Sequence, residues 1–197
     1  MIYLSVVILG IIFGTSLSDN YLTGRSFIGR PGVGLAGAGL AVFLIFTALL
    51  YKTHLQFIIW QGAGPPASYF IPPYRDIGYF LFYTGARFWT PYLVSGIVGL
   101  LCYWVLGVLN RQYDQRFFWP EEPYFIAFSI FLNGHPGWIV YLFLVLTAAL
   151  FIILGQMLLI KESRRLSLYY LWLIAGLVSI VLNIWARHLD WWRELLI

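Results

Sequence analysis

Charge is what this sequence has least of. Only 10% of its 197 residues are Asp, Glu, Lys or Arg, against roughly a quarter in a soluble domain. A surface so poor in charge cannot all face water, which excludes an ordinary soluble fold. Cysteine is nearly missing as well, since Cys102 stands alone inside an apolar run. No intrachain disulfide, CxxC redox pair or thiolate zinc site can be built from it. The local signatures of nucleophile, metal and phosphate chemistry are absent too: no GxSxG, no HExxH, no P-loop and no dinucleotide-binding glycine pattern. The stretch "GVGLAGAG" at 32–39 lacks both the lysine and the strand–helix context of a phosphate loop.

What the chain does have is apolar length. Hydrophobic residues make up 61% of it and aromatic residues 20%. Continuous apolar runs occupy Ile2–Ser18, Gly32–Tyr51, Tyr92–Leu109, Trp138–Ile160 and Ser167–Ala186. Each approaches the roughly 20 residues that cross a hydrocarbon core of about 30 Å. Backbone polar groups in lipid must be satisfied within the segment, and continuous rather than alternating runs exclude a barrel. The expectation is an all-α polytopic integral membrane protein of one transmembrane domain, 1–197, with about five transmembrane helices plus short interfacial or re-entrant helices. The first run carries no Lys or Arg ahead of it and no small-x-small cleavage site after it, so it reads as an uncleaved helix.

The 12 basic residues outnumber the 8 acids, but they are scattered through the connections. That distribution suits topology and lipid headgroups, not nucleic acid. Arg111, Arg116, Arg164 and Arg165 are the expected headgroup or partner contacts. With five spans the basic residues divide six to six between the two faces, so they do not orient the chain. Arginine outnumbers lysine ten to two, which points towards a bacterial cytoplasmic (inner) membrane.

Two segments fit no simple span. Residues 55–90, ahead of Pro91, mix Pro65, Pro66, Pro72 and Pro73 with many aromatic residues, and read as pieces lying along the interface. Residues 123–134 form a short apolar run that opens at Glu121-Glu122-Pro123 and closes at Gly134. Acids complement the positive end of a helix, proline suits its first turn and glycine its exit. This predicts a short helix that dips in or lies flat. Trp60, Trp89, Trp119, Trp138, Trp191 and Trp192 are placed as interfacial anchors. The tail after the last run is expected to continue that helix out of the membrane and turn along its surface. In the second run Gly32/Ala36 and Gly34/Ala38 are small-xxx-small pairs, which predict close helix packing.

Candidate chemistry is thin. No charged side chain falls inside the five runs, and only Gln156 and Asn183 are strongly polar there, suited to interhelical hydrogen bonds. His54, His135 and His188 fall at predicted helix ends and share no ligand spacing, so pigment or haem ligation by any of them is not expected. No metal and no cofactor is predicted, while bound lipid is. Arg111, Asp114, Arg116, Glu121, Glu122 and His135 would share one face if 123–134 lies flat or re-enters. Glu121, Glu122 and His135 are then the residues for acid–base work on a headgroup. The helix order over 92–186 is similar in layout to polytopic aspartyl prepilin peptidases. That family's Gly-x-Gly-Asp is replaced here by Trp119-Pro120-Glu121-Glu122, and its second aspartate has no counterpart, so the likeness stops at layout. The leading expectation is a non-catalytic subunit with a structural or assembly role among other integral membrane subunits. The alternatives are a small enzyme acting on a lipid or lipid-linked substrate, and a channel or carrier component.

Overall fold

The computed structural model describes residues 4–12, 31–114, 122–159, 169–186, 188–190 and 192. All regular structure among them is helical. The elements are α1 (4–12), α2 (Pro31–Gly62), a 3-10 turn (Ala67–Phe70), α3 (Ile77–Thr84), a π-turn (Gly85–Trp89), α4 (Thr90–Gln112), α5 (Glu122–Asn133), α6 (Gly137–Leu159) and α7 (Tyr169–Ala186). Among the described residues, three helical stretches are long and apolar enough to cross a membrane: Ala38–Gly62, Ile77–Gln112 and Gly137–Gly155. Leu171–Ala186 is apolar but shorter.

Two boundaries differ from the sequence reading. Helix α2 does not stop at Tyr51 but runs on to Gly62. Lys52, His54 and Gln56 make that stretch less apolar, yet it contains no proline, and its first glycine is Gly62 itself. Polarity alone does not end a helix; a residue that breaks the backbone ladder does. The second difference is Pro91, which the sequence reading left between the 55–90 segment and the third run and which lies inside continuous helix. In an α-helix its ring would strike the carbonyl of Arg87. The π-turn just before it widens the backbone, so the Thr90 N–H donates to the Gly85 carbonyl five residues back. The Thr90 hydroxyl donates to the same oxygen at 3.1 Å. Residues 77–112 therefore form one rod.

Helix α2 runs antiparallel to that rod. Phe57 meets Phe80 with ring centroids 5.4 Å apart, and lower down the Trp89 indole donates to the Thr53 hydroxyl at 3.1 Å. At the hairpin end Trp60 packs among Phe70, Tyr79, Phe80 and Tyr83, its closest ring at 4.9 Å. The Asp76 carboxylate accepts from Gly78 N at 2.7 Å and starts α3. At the other end of the rod Asp114 takes a left-handed turn (φ 50°) just past the end of α4.

The core lies around α5. Phe125, Ile126, Phe128, Ile130 and Leu132 are all buried, so this helix is covered nearly all round. Ala41, Ile45 and Leu49 give α2 a single buried stripe at four-residue spacing, while Phe43 and Leu50 on its other faces stay exposed. Tyr141, Val145, Trp172 and Leu173 close the cluster from α6 and α7, with Ile8 and Leu9 from α1.

Candidate functional site: a short enclosed helix and its polar seam

Three contacts fix how α5 lies on α4. A Cβ built on Gly99 would stand 2.8 Å from the Ala127 carbonyl oxygen. Ser95 Oγ donates to the Phe131 carbonyl at 3.4 Å, and His135 N donates to the Pro91 carbonyl at 2.9 Å. Each step down α4 matches a step up α5, so the two are antiparallel in close register. Carried on, that register sets Glu122 level with Trp104. Gln112 then lies eight residues, about 12 Å, beyond Glu122 along α4. Glu122 therefore starts α5 at that depth, with 2% of its surface exposed.

A polar seam joins α5 to α7. The Ser179 hydroxyl donates to Asn133 Oδ1 at 2.6 Å, and the Asn133 amide donates to the Ser129 carbonyl at 2.8 Å. Beside them a Cβ on Gly176 would come 3.1 Å from Ser129 Oγ and 3.5 Å from Leu9 Cδ1. Ser129 faces Gly176 and Asn133 faces Ser179, so α5 and α7 run parallel. Glu122, Ser129 and Asn133 recur at helical spacing on one side of α5. Trp172, Gly176, Ser179 and Asn183 do the same on α7. The buried Tyr141 hydroxyl on α6 closes no hydrogen bond. At the turn end, a side chain on Gly137 would collide with the Asn183 amide. Asn183 Oδ1 accepts from the Trp192 indole at 3.1 Å.

The seam was not anticipated as a unit, although Asn183 was. Ser129 and Ser179 sit in runs whose hydropathy hides a single hydroxyl. The available signal was a repeat: Ser129-x-x-x-Asn133 in α5 and Ser179-x-x-x-Asn183 in α7. That spacing sets both polar groups of each helix on one face.

The expected site residues do not converge. Glu122 and His135 lie at opposite ends of α5, separated by roughly 17 Å of helix axis. His135 is half-buried, and its Nδ1 accepts from the Trp138 indole at 3.2 Å. Gly134 makes that turn in the left-handed region (φ 65°), where glycine is at ease. Arg111 and Asp114 are exposed at and beyond the end of α4, away from His135. Glu121, Arg116, Arg164, Arg165, Trp119 and Trp191 fall outside the described residues, as do the surroundings of Gly32, Gly34 and Ala36 and the side chain of Gln156. Ala38 is half-buried against the core, whereas a Cβ on neighbouring Gly39 would touch nothing within 4 Å. Among the glycines whose surroundings are described, the tightest interhelical contacts are at Gly99, Gly137 and Gly176.

Of the other tryptophans, Trp60 and Trp89 are half-buried in the hairpin and Trp138 flanks the turn. Trp192 has only 2% of its surface exposed, with its indole donating to Asn183 Oδ1. His54 lies exposed within α2, eight residues before its end, and His188 is exposed after α7. No group of three His, Cys, Asp or Glu side chains gathers as a metal site among the described residues. No family model, curated protein or solved structure matches this chain.

Proposed function

We infer that this chain is a non-catalytic integral membrane subunit with a structural or assembly role in a larger complex. About five helices cross the membrane, α1, α2, the α3–α4 rod, α6 and α7, and α5 is a short enclosed helix that climbs antiparallel to α4 from the level of Trp104 to that of Pro91. The observation that carries this reading is the separation of Glu122 from His135 along α5, together with the use of Asn133, Ser179 and Asn183 in holding helices together. Interior amides and hydroxyls engaged in this way specify packing. The three long stretches support it too, since only 11%, 11% and 17% of their most apolar windows are covered from within the chain. Lipid and partner subunits cover the remainder. The arginine-rich composition supports a bacterial cytoplasmic membrane as the home of the complex.

Native mass spectrometry of the protein extracted gently from its own membrane tests the reading. Co-purification with larger subunits at fixed stoichiometry is the expected result. A lone monomer would overturn it.

One observation favours the enzyme alternative. Glu122 is an acid set well inside the bundle, and acids at such depth are expensive and often functional. If Glu122→Gln keeps the assembly intact but abolishes turnover of a lipid-linked substrate, the catalytic reading replaces the structural one.

A further inference from the structure

The α2–α3 hairpin carries a feature that the assembly reading does not use. Between Tyr51 and Pro91 the sequence holds Lys52, Arg75 and Arg87 against a single acid, Asp76. The Asp76 carboxylate is engaged with the start of α3. Each cation lies near an aromatic ring. Lys52 Nζ stands 5.9 Å from the Phe88 centroid, Arg87 Cζ 5.9 Å from Tyr83, and Arg75 Cζ 4.0 Å from Tyr79. Lys52 reaches Phe88 from α2, so it stands at the height of Arg87 on the rod.

Beside Arg87 is a shallow groove of about 270 Å³ lined by Tyr79, Phe82, Tyr83, Ala86 and Arg87. Phe82 is 76% exposed along it. The groove lies against the π-turn, where a Cβ on Gly85 would meet nothing within 4 Å. Its order along the helix matters. Arg87 is at the end nearer α4, and the tyrosines lie further out.

Height relative to the bilayer follows from length. Arg87 is 25 residues, about 37 Å, from Gln112 along the rod. With Gln112 at one headgroup layer, a core of about 30 Å puts Arg87 in the opposite one. Below it Leu93, Ile97 and Leu100 leave an exposed apolar track on α4.

We propose that this groove binds an anionic phospholipid with a polyol headgroup, whose phosphate sits on Arg87 with Lys52 beside it. A phosphodiester is joined to its acyl glycerol on the membrane side and to its headgroup alcohol on the outer side. The site has the same polarity: an apolar track below, a guanidinium between, and tyrosine rings and hydroxyls above. Arginine suits the phosphate because its planar fork offers two parallel donors. Aromatic faces beside a cation also favour the headgroup level.

The inference rests on membrane placement and not on the subunit reading, since lipid retention and co-purification are scored separately. The test is native mass spectrometry of the purified protein in micelles doped with phosphatidylglycerol, phosphatidic acid or phosphatidylcholine. Phosphatidylglycerol should be retained best, and phosphatidylcholine least. Arg87→Gln should cut phosphatidylglycerol retention about fivefold, the weight of one cation near an anionic surface. Gln112→Ala, an exposed side chain at the far end of the rod, should leave it unchanged. Circular dichroism and gel filtration confirm that both variants fold. Equal retention of phosphatidylglycerol and phosphatidylcholine would overturn the proposal, as would an equal effect of the two substitutions. Phosphatidylglycerol held no better than phosphatidic acid would overturn the seat for the alcohol.

Discussion

Gly99 offers a sharp test of how α5 is held. A Cβ there would meet three backbone atoms of Ala127: the carbonyl oxygen at 2.8 Å, the carbonyl carbon at 3.5 Å and Cα at 3.6 Å. Backbone cannot rotate aside as a side chain does. In Gly99→Ala, α5 must therefore back away until the 2.8 Å gap approaches an ordinary 3.4 Å. Overpacking of this kind costs about 1–3 kcal/mol. Alanine returns about 1 kcal/mol of helix propensity, which leaves a net loss of about 0–2 kcal/mol. Gly107 lies on the same helix, and a Cβ there would touch nothing within 4 Å. Gly107→Ala keeps the propensity gain without the clash, so it should be neutral or stabilising by up to about 1 kcal/mol. Gly96 stands between these cases, with its nearest neighbour the Phe131 ring at 3.6 Å. The assay is reversible unfolding of the three variants in one micelle system, followed by tryptophan fluorescence. Stability should fall in the order Gly107→Ala, Gly96→Ala, Gly99→Ala. Equal stability of Gly99→Ala and Gly107→Ala would refute the close α4–α5 approach.

Three further outcomes are expected. A double-mutant cycle on Asn133→Ala and Ser179→Ala should give a coupling of about 0.6 kcal/mol, and no more than about 1.7 kcal/mol; zero coupling would mean that the 2.6 Å bond does not form in the membrane. Tyr141→Phe removes a buried hydroxyl that closes no hydrogen bond, so unfolding should show no loss of stability; a loss above about 1 kcal/mol would reveal a partner for it. In a Cys102→Ser background, cysteine at Tyr74 should react quickly with a membrane-impermeant maleimide and cysteine at Trp104 slowly. Equal rates would contradict the placement of the rod across the bilayer.

Much of the helical layout was legible in the sequence, because helices in such a chain announce themselves by apolar length. The bounds of α5 were readable for a different reason: Pro123 and Gly134 act through the backbone, the one in the first turn of the helix and the other just past its end. The end of α2 was not readable from hydropathy, since Lys52 and His54 change the polarity of the chain without breaking its hydrogen-bond ladder. Pro91 misled for the opposite reason. A proline normally ends a helix, and only the spare residue of a π-turn lets this one stay in register. The candidate site was harder still. Glu122 was noticed, but its depth depends on the α4–α5 register, which pairs residues about 28 apart in sequence at Gly99 and Ala127. Gly99 and Gly176 are isolated in the sequence and matter because a neighbour's backbone or hydroxyl comes to them. Spacing within one helix does not show which helix lies opposite.

The brevity of α5 also bears on how the protein is made. Twelve residues are too few to be released into lipid as a span, and a carboxyl at the depth of Glu122 is costly until other helices surround it. During synthesis α5 therefore cannot be enclosed until α6, joined to it by residues 134–136 alone, has settled beside it. Its groove is completed only when α7, synthesised after both, brings Gly176 and Ser179 to meet Ser129 and Asn133. Nascent chains stalled before α7 should leave Phe125 and Ser129 open to aqueous labelling, and chains released after it should close them off.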